Sequence, residues 1–210
     1  MGEELETRER LLKSAMAEFS EKGYMKASLR KICADAGVTT GALYFFFKNK
    51  NDLFAAIVEP PLAKLRAILE EHNREDEQAL SSGGQLAALS DATKDDHKEI
   101  AESIVDFLYD NYDAFMLLLT KSQGSAYENV QDEFVAIMED GFRKSAQALT
   151  RSFPGCRVNE YMLHWLAHMD LDVYIHLLTH ETDREQAKIH SLRIMQSIVE
   201  SWFKLIITKE

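Results

Sequence analysis

Turn-forming residues are scarce in this chain: three prolines and nine glycines are spread over 210 residues. Apolar positions recur instead at helical spacing along most of its length. A β architecture needs frequent turns, so this scarcity points to long helices joined by short connections. With 46% hydrophobic residues there is ample material for a sizeable core. No run of about 18 apolar residues occurs, so no membrane-spanning helix is expected. The acidic opening Met1-Gly2-Glu3-Glu4-Leu5-Glu6 does not read as a signal peptide. Glu6 also stands where a myristoylation signal needs Ser or Thr. Cys33 and Cys156 lie 123 positions apart and match no metal or redox spacing, so a reduced, cytoplasmic setting is expected.

Leu5, Leu12, Ala15, Met16 and Phe19 trace a helix over 5–22, and Gly23 supplies its stop. Ser28 is a good N-cap for a short helix that buries Leu29, Ile32, Cys33 and Ala36. Gly37 provides a tight turn, and Thr39 caps a second short helix running to about Phe45. Lys48-Asn49-Lys50-Asn51 breaks the pattern before another helix begins around Leu53. Pro60-Pro61 is expected to interrupt or kink it, with a new segment over roughly 61–79. Residues 81–98 are small and polar and read as the main loop region, with room for one short helix. From Glu99 onward the pattern is helical, with breaks expected near Asn111, Gly124, Pro154-Gly155 and Thr182-Asp183. No extended strand pattern or internal repeat is evident, so the fold class is all-α.

The formal net charge of −11 argues against nucleic-acid binding only until it is divided along the chain. Residues 1–58 hold nine Lys/Arg against eight Asp/Glu, whereas residues 59–210 hold fifteen against twenty-seven. Such asymmetry suggests two different jobs. The nearly neutral part contains SLRKICADAGVTTGALYFFFKNKNDLF, Ser28 to Phe54. Two short helices joined by a Gly-containing turn outline a helix-turn-helix. Leu29, Ile32 and Cys33 can pack the first helix, Gly37 can turn the chain, and Thr39-Thr40-Gly41-Ala42 offers small groups to a groove.

This stretch resembles the TetR family of bacterial transcriptional regulators. The resemblance rests on Ile32, Ala36-Gly37-Val38-Thr39, Gly41, Leu43-Tyr44, Phe47, Lys50 and Leu53-Phe54, and it covers about the first 58 residues. It implies a recognition helix at about 39–45, with Thr40 and Gly41 approaching base edges. Ser28, Thr39, Tyr44, Lys48 and Lys50 would hold phosphates, and Arg30 would reach phosphate or guanine. Phe46 occupies the place where the family usually has His, so no DNA contact is carried over to it. Phe45, Phe46 and Phe47 read mostly as core, with Phe45 the most exposed.

The segments 158–179 and 184–207 read as two long helices. The last carries Leu192, Met195, Val199, Trp202, Phe203 and Ile206 on one face. The resemblance implies a dimer built on the final two helices, and Met195, Val199, Trp202 and Phe203 are the expected contact residues. It also implies an effector pocket, for which Phe107, Tyr112, Phe115, Met116, Trp165 and Met169 would make an adaptable apolar lining. Asp106, Asp110 and Asp170 could attract a cationic ligand, but each reads better as a solvated surface carboxylate. His164, His168, Asp172, His176 and His180 recur every four residues, yet each step drifts about 40° around a helix, so all five cannot share one ion. No Glu-x-x-His, His-Glu-x-x-His, Gly-x-Ser-x-Gly or phosphate loop is present.

The expectation is therefore a small three-helix DNA-binding domain over 1–50 and a larger helical domain for ligand binding and dimerisation over 51–210. Its function would be ligand-responsive repression from a palindromic operator in double-stranded DNA. No metal, cofactor, membrane partner or enzymatic activity is expected. The rival reading is a helical protein that binds a small molecule or metal and no longer binds DNA, and a helical-bundle enzyme stands third.

Overall fold

The computed structural model describes residues 2–81, 91–151 and 155–209, with side chains at all of these except 79–81, 91–97, 149, 199–204 and 209. The described chain is helical almost throughout: α1 (Gly2–Lys26), α2 (Leu29–Ala36), α3 (Thr40–Phe46), α4 (Lys50–Ser81), α5 (Asp91–Asp110), α6 (Tyr112–Lys121), α7 (Val130–Thr150), α8 (Glu160–His180) and α9 (Arg184–Ile206). It forms two compact units. The first comprises the residues up to Lys64 together with Asn111–Val130, and the second comprises Leu65–Asp110 together with the residues from Gln131 onward.

In the first unit α1 packs against α2 and α6, and α2 packs against α3. The helical stripe of α1 supplies Leu11, Ala15 and Phe19, all fully buried. Ile32 and Cys33 of α2, Leu43 of α3 and Phe54 of α4 are buried as well. Ala15 and Phe19 fall where the periodicity puts them, whereas Leu11 is buried in place of the expected Leu12, which like Met16 is half-buried, and Leu5 is exposed. Phe54 sets its edge against Phe19 at 5.0 Å and Tyr24 at 5.2 Å. From α6, Ala114, Phe115, Leu117 and Leu118 are buried as well. Gly23 breaks α1 with φ 72° and ψ 163°, a backbone position that side chains with a Cβ avoid, which is why the stop falls there.

In the second unit α5 and α8 both pack on α9, and α5 also meets α8. Leu163 and Leu166 of α8 lie with Ala146 and Ile206 in a buried cluster, against which Phe142, Met162 and Met169 pack. A short antiparallel ladder closes this cluster. Cys156–Val158 (β1) pairs with Ile207–Lys209 (β2), Cys156 opposite Lys209 and Val158 opposite Ile207.

Three expectations need correction. Pro60 and Pro61 do not end a helix: α4 runs unbroken from Lys50 to Ser81 with both inside it. Proline deprives two carbonyls of their amide donors but has a φ suited to a helix, and burial of Val58, Leu62 and Leu65 on either side holds the segment in place. The expected loop over 81–98 is shorter, because α5 already begins at Asp91; residues 82–90 lie outside the described part. Finally, the three-residue strands of the ladder are too short for period-two alternation to register in the sequence. The breaks at Asn111, Gly124 and Thr182-Asp183 fall between helices as expected, while of the Pro154-Gly155 break only Gly155 is described.

Truncating Phe54 to Ala removes a fully buried ring from the meeting point of α1 and α4. The expected loss is about 3–5 kcal/mol of stability. Chemical denaturation followed by circular dichroism measures it; a loss below about 1 kcal/mol contradicts this account of the core.

Candidate functional site

The α2–α3 pair is held by caps that the sequence supplies. Ser28 Oγ accepts from Lys31 N at 3.4 Å, while Ser28 N donates to the buried Glu18 carboxylate at 2.9 Å. Ser14 Oγ donates to Ile32 O at 2.9 Å, which ties the same helix to α1 again. Gly37 adopts φ 68°, ψ 32° and closes α2, with Val38 N donating to Cys33 O at 2.9 Å. Thr39 Oγ1 then accepts from Ala42 N at 3.2 Å and starts α3. Past α3, Lys48 N donates to Asp52 Oδ2 at 3.0 Å and Asp52 N donates to Asn49 Oδ1 at 2.9 Å, two side-chain caps that open α4.

This framework leaves one face of α3 uncovered. Leu43 and Phe47 turn inward, while Thr40 and Gly41 are exposed, as are Tyr44 at 54% and Phe45 at 73%. Phe46 is half-buried and meets Phe45 edge-on at 5.0 Å. Ser28, Arg30, Thr39 and Lys48 are exposed around the same helix pair. The structure thus brings together seven of the eight expected DNA-facing residues as accessible side chains or backbone. The eighth, Lys50, is engaged within the unit. Its Nζ donates to Met25 O at 3.2 Å and lies 4.9 Å over the Tyr24 ring, and burial lowers its pKa. A phosphate contact by Lys50 would have to share or replace that bond.

The second unit contains a cavity of about 360 Å³. Leu69, His72, Asn73 and Asp76 of α4 line it, with Lys98, Ile100, Ala101 and Ile104 of α5. Met138, Gly141, Phe142 and Ser145 of α7, Asp170 and Tyr174 of α8, and Leu192, Met195 and Gln196 of α9 complete the wall. Asp170 is only 7% exposed, and its Oδ1 has no hydrogen-bond partner among the described residues. Burial pushes this carboxyl up to about 7. Burial also raises the Tyr174 phenol, and the charge of Asp170 adds to that shift.

Residues 11–57 match the family described as bacterial regulatory proteins, tetR family. Among characterised relatives, the chain is 48% identical to the HTH-type transcriptional regulator AcrR of Shigella flexneri over 54 residues, which are 26% of this chain and 25% of that protein. It is 45% identical to the HTH-type transcriptional repressor BepR of Brucella suis over 57 residues, 27% of each. This N-terminal part of the chain is similar to the TetR family. The matched region spans about a third or less of the length of these relatives. Solved structures share the fold over nearly the whole chain. A TerR/AcrR-family regulator from Aquifex aeolicus is 23% identical, covers 91% of this chain and 99% of its own, and superposes with a TM-score of 0.58. SmeT in complex with triclosan is 22% identical, covers 91% of this chain and 90% of its own, and gives 0.57; SmeT comes from Stenotrophomonas maltophilia.

None of the six side chains expected to line a pocket borders the cavity. Tyr112, Phe115 and Met116 belong to the first unit, where Phe115 is buried core. Phe107 is half-buried, Met169 packs on the Leu163–Leu166 cluster, and Trp165 is 45% exposed. Their apolar character is spent on ordinary packing or left on the surface. Asp170 departs from its expected solvated position; Asp110 is exposed and paired with Arg184, and Asp106 is half-buried and paired with Lys188. A signal for Asp170 was present: it falls on the same helical face as Leu163, Leu166, Tyr174 and Leu177, all buried.

Met195 turns into the cavity, and the Val199, Trp202 and Phe203 side chains lie outside the described residues. His164, His168, Asp172, His176 and His180 are all exposed along α8. His164 Nδ1 lies 2.8 Å from Glu139 Oε2, and this contact, helped by Arg143, holds the Glu139 carboxyl below its usual range. Among the described residues no group of three or more His, Cys, Asp or Glu is placed to hold a metal ion, and no helix is long and apolar enough to cross a membrane.

A carboxyl whose pKa rises on folding, as that of Asp170 does to about 7, binds its proton more tightly in the folded state. Its contribution to stability is therefore full below the unfolded value near 4 and is lost as pH climbs through about 7. Asp170→Asn should match the parent chain near pH 4 and exceed it near pH 8, by up to about 4 kcal/mol. Denaturant midpoints across this range test the assignment; a difference independent of pH contradicts it.

Proposed function

We propose that this chain is a ligand-responsive transcriptional repressor that binds a palindromic operator in double-stranded DNA as a homodimer. The observation that carries the reading is the exposed face of α3, where Thr40, Gly41 and Tyr44 stand clear between two capped turns. A helix with small polar groups at its start can enter a major groove, where Thr40 and Gly41 would approach base edges. Ser28, Arg30, Thr39, Tyr44, Lys48 and Lys50 would hold the backbone, fixing register without reading sequence. The names of AcrR and BepR, a regulator and a repressor, support this assignment.

The working division is residues 1–50 for DNA and 51–210 for sensing and pairing, in a cytoplasmic protein without enzymatic activity. Pairing is supported by large apolar side chains left exposed on the last two helices: Tyr161 at 75% and Trp165 on α8, with Ile189 and Ile194 on α9. A two-fold dimer would set its recognition helices about 34–36 Å apart, one turn of the duplex. A small molecule bound in the second unit, as triclosan is bound by SmeT, would release DNA if it favours an arrangement with another spacing. The connecting helix is α4, which contributes residues to both units.

Selection from random duplexes at low salt should recover an inverted repeat, with affinity falling steeply as salt rises. Lys48→Ala should weaken every sequence alike and reduce the salt slope by about 1, whereas Thr40→Ala should alter the preferred bases. Recovery of no inverted repeat sinks the repressor reading and favours a ligand-binding protein without DNA. Sedimentation should show a dimer at micromolar concentration, converted to monomer by Trp165→Glu; a monomeric parent chain contradicts the pairing.

A further inference from the structure

The wall of the cavity in the second unit is uneven in polarity. Its half-buried and buried lining is mostly apolar, with Leu69, Ile104, Phe142, Leu192 and Met195 among its members. The charged or titratable groups His72 and Asp76 are half-buried, Nε2 to Oδ2 at 3.6 Å, and Lys98 is exposed. Asp170 stands apart from all of these. It is buried, it lines the cavity, and its Oδ1 accepts no hydrogen bond among the described residues. An unsatisfied buried acceptor is costly, and a buried carboxylate without a partner more so. One turn along α8, the buried Tyr174 ring lines the same cavity.

We propose that the cavity binds a protonated amine carried on an apolar body, its N–H donating to the Asp170 carboxylate beside Tyr174. A charge-assisted hydrogen bond partners the buried carboxylate and neutralises it in one contact. The aromatic ring offers a second favourable surface to a cation. Neither demand is met by an anion, and a neutral hydroxyl meets only the first. The volume of about 360 Å³ suits a small arylalkyl amine. This assignment rests on reading the cavity as the effector site, and names the class of effector that site would take.

The test uses the full chain without DNA and four probes of one shape. These are 4-phenylbutylamine, 4-phenylbutan-1-ol, 4-phenylbutyltrimethylammonium and 4-phenylbutyrate, titrated calorimetrically near pH 8 and near pH 5.5. The amine should bind about tenfold more tightly than the alcohol at the higher pH, with the quaternary ion weaker than the amine and the carboxylate weakest. That preference should shrink severalfold at the lower pH as Asp170 takes up its proton. His72, Asp76, Lys98 and Tyr174 are the other ionisable groups of the lining, and α7 and α9 contribute none. Asp170→Asn should abolish the amine preference at both pH values and leave the alcohol unchanged. Asp170→Glu, which keeps the charge, should retain a preference, so a poorly folding Asn variant does not leave the question open.

Equal or tighter binding of the alcohol or carboxylate overturns the assignment, as does a preference that survives in Asp170→Asn, or no binding by any probe. Failure of the wider functional reading is seen separately. If the amine binds through Asp170 but does not release the selected inverted repeat, the cavity assignment stands and the effector role falls.

Discussion

Pro60 and Pro61 cannot give the carbonyls of Ala56 and Ile57 the amide donors that a helix ordinarily provides, and yet α4 continues through them. What holds the segment is burial on both sides of the gap: Leu53, Phe54 and Val58 before it, Leu62 and Leu65 after it. Much of the structure depends on that continuity. The first turns of α4 supply Phe54 to the core beneath the helix-turn-helix and Asp52 to the cap that follows α3. Four turns and more later the same helix supplies Leu69, His72, Asn73 and Asp76 to the cavity. A helix that stopped at the prolines would leave those four positions without a defined face.

The two candidate sites obey opposite electrostatic rules. On α3 the polar groups are exposed and their backbone partners already satisfied by Ser28, Thr39 and Asp52, so they are free for an outside ligand without internal penalty. In the cavity a carboxylate is buried and left without a partner on one oxygen. The first arrangement suits repeated, salt-sensitive contact with a polyanion. The second suits one small molecule of the right charge. Their separation agrees with the charge division along the chain, in which residues 1–58 are nearly neutral and the remainder strongly acidic.

The helix-turn-helix was legible because every device in it is local. A cap, a positive-φ glycine and a three-or-four-residue apolar spacing are all set within a single turn, so Ser28, Gly37, Thr39 and the buried Ile32, Cys33 and Leu43 fall where their spacing puts them. The cavity was not legible in the same way. Its lining comes from α4, α5, α7, α8 and α9, and no short window of sequence contains more than a few of its members. Choosing large aromatics and methionines selected Phe115 and Met169, which pack elsewhere, because apolar mass predicts burial but not which void it borders.

By itself, then, the order of residues determined the helical class, the capped α2–α3 pair and the face of α3 left uncovered, since these follow from backbone propensity and spacing within a turn or two. Tertiary packing decided the rest. It decided that two prolines would stay inside a helix, because burial on both sides outweighs two lost hydrogen bonds. It paired strands too short to show a pattern, and it drew Lys50 back onto Met25 and Tyr24. It also turned Asp170 from a surface carboxylate into a buried acceptor, because the face of α8 that carries it is covered by other helices, and the solvation of a side chain is a property of its neighbours in space.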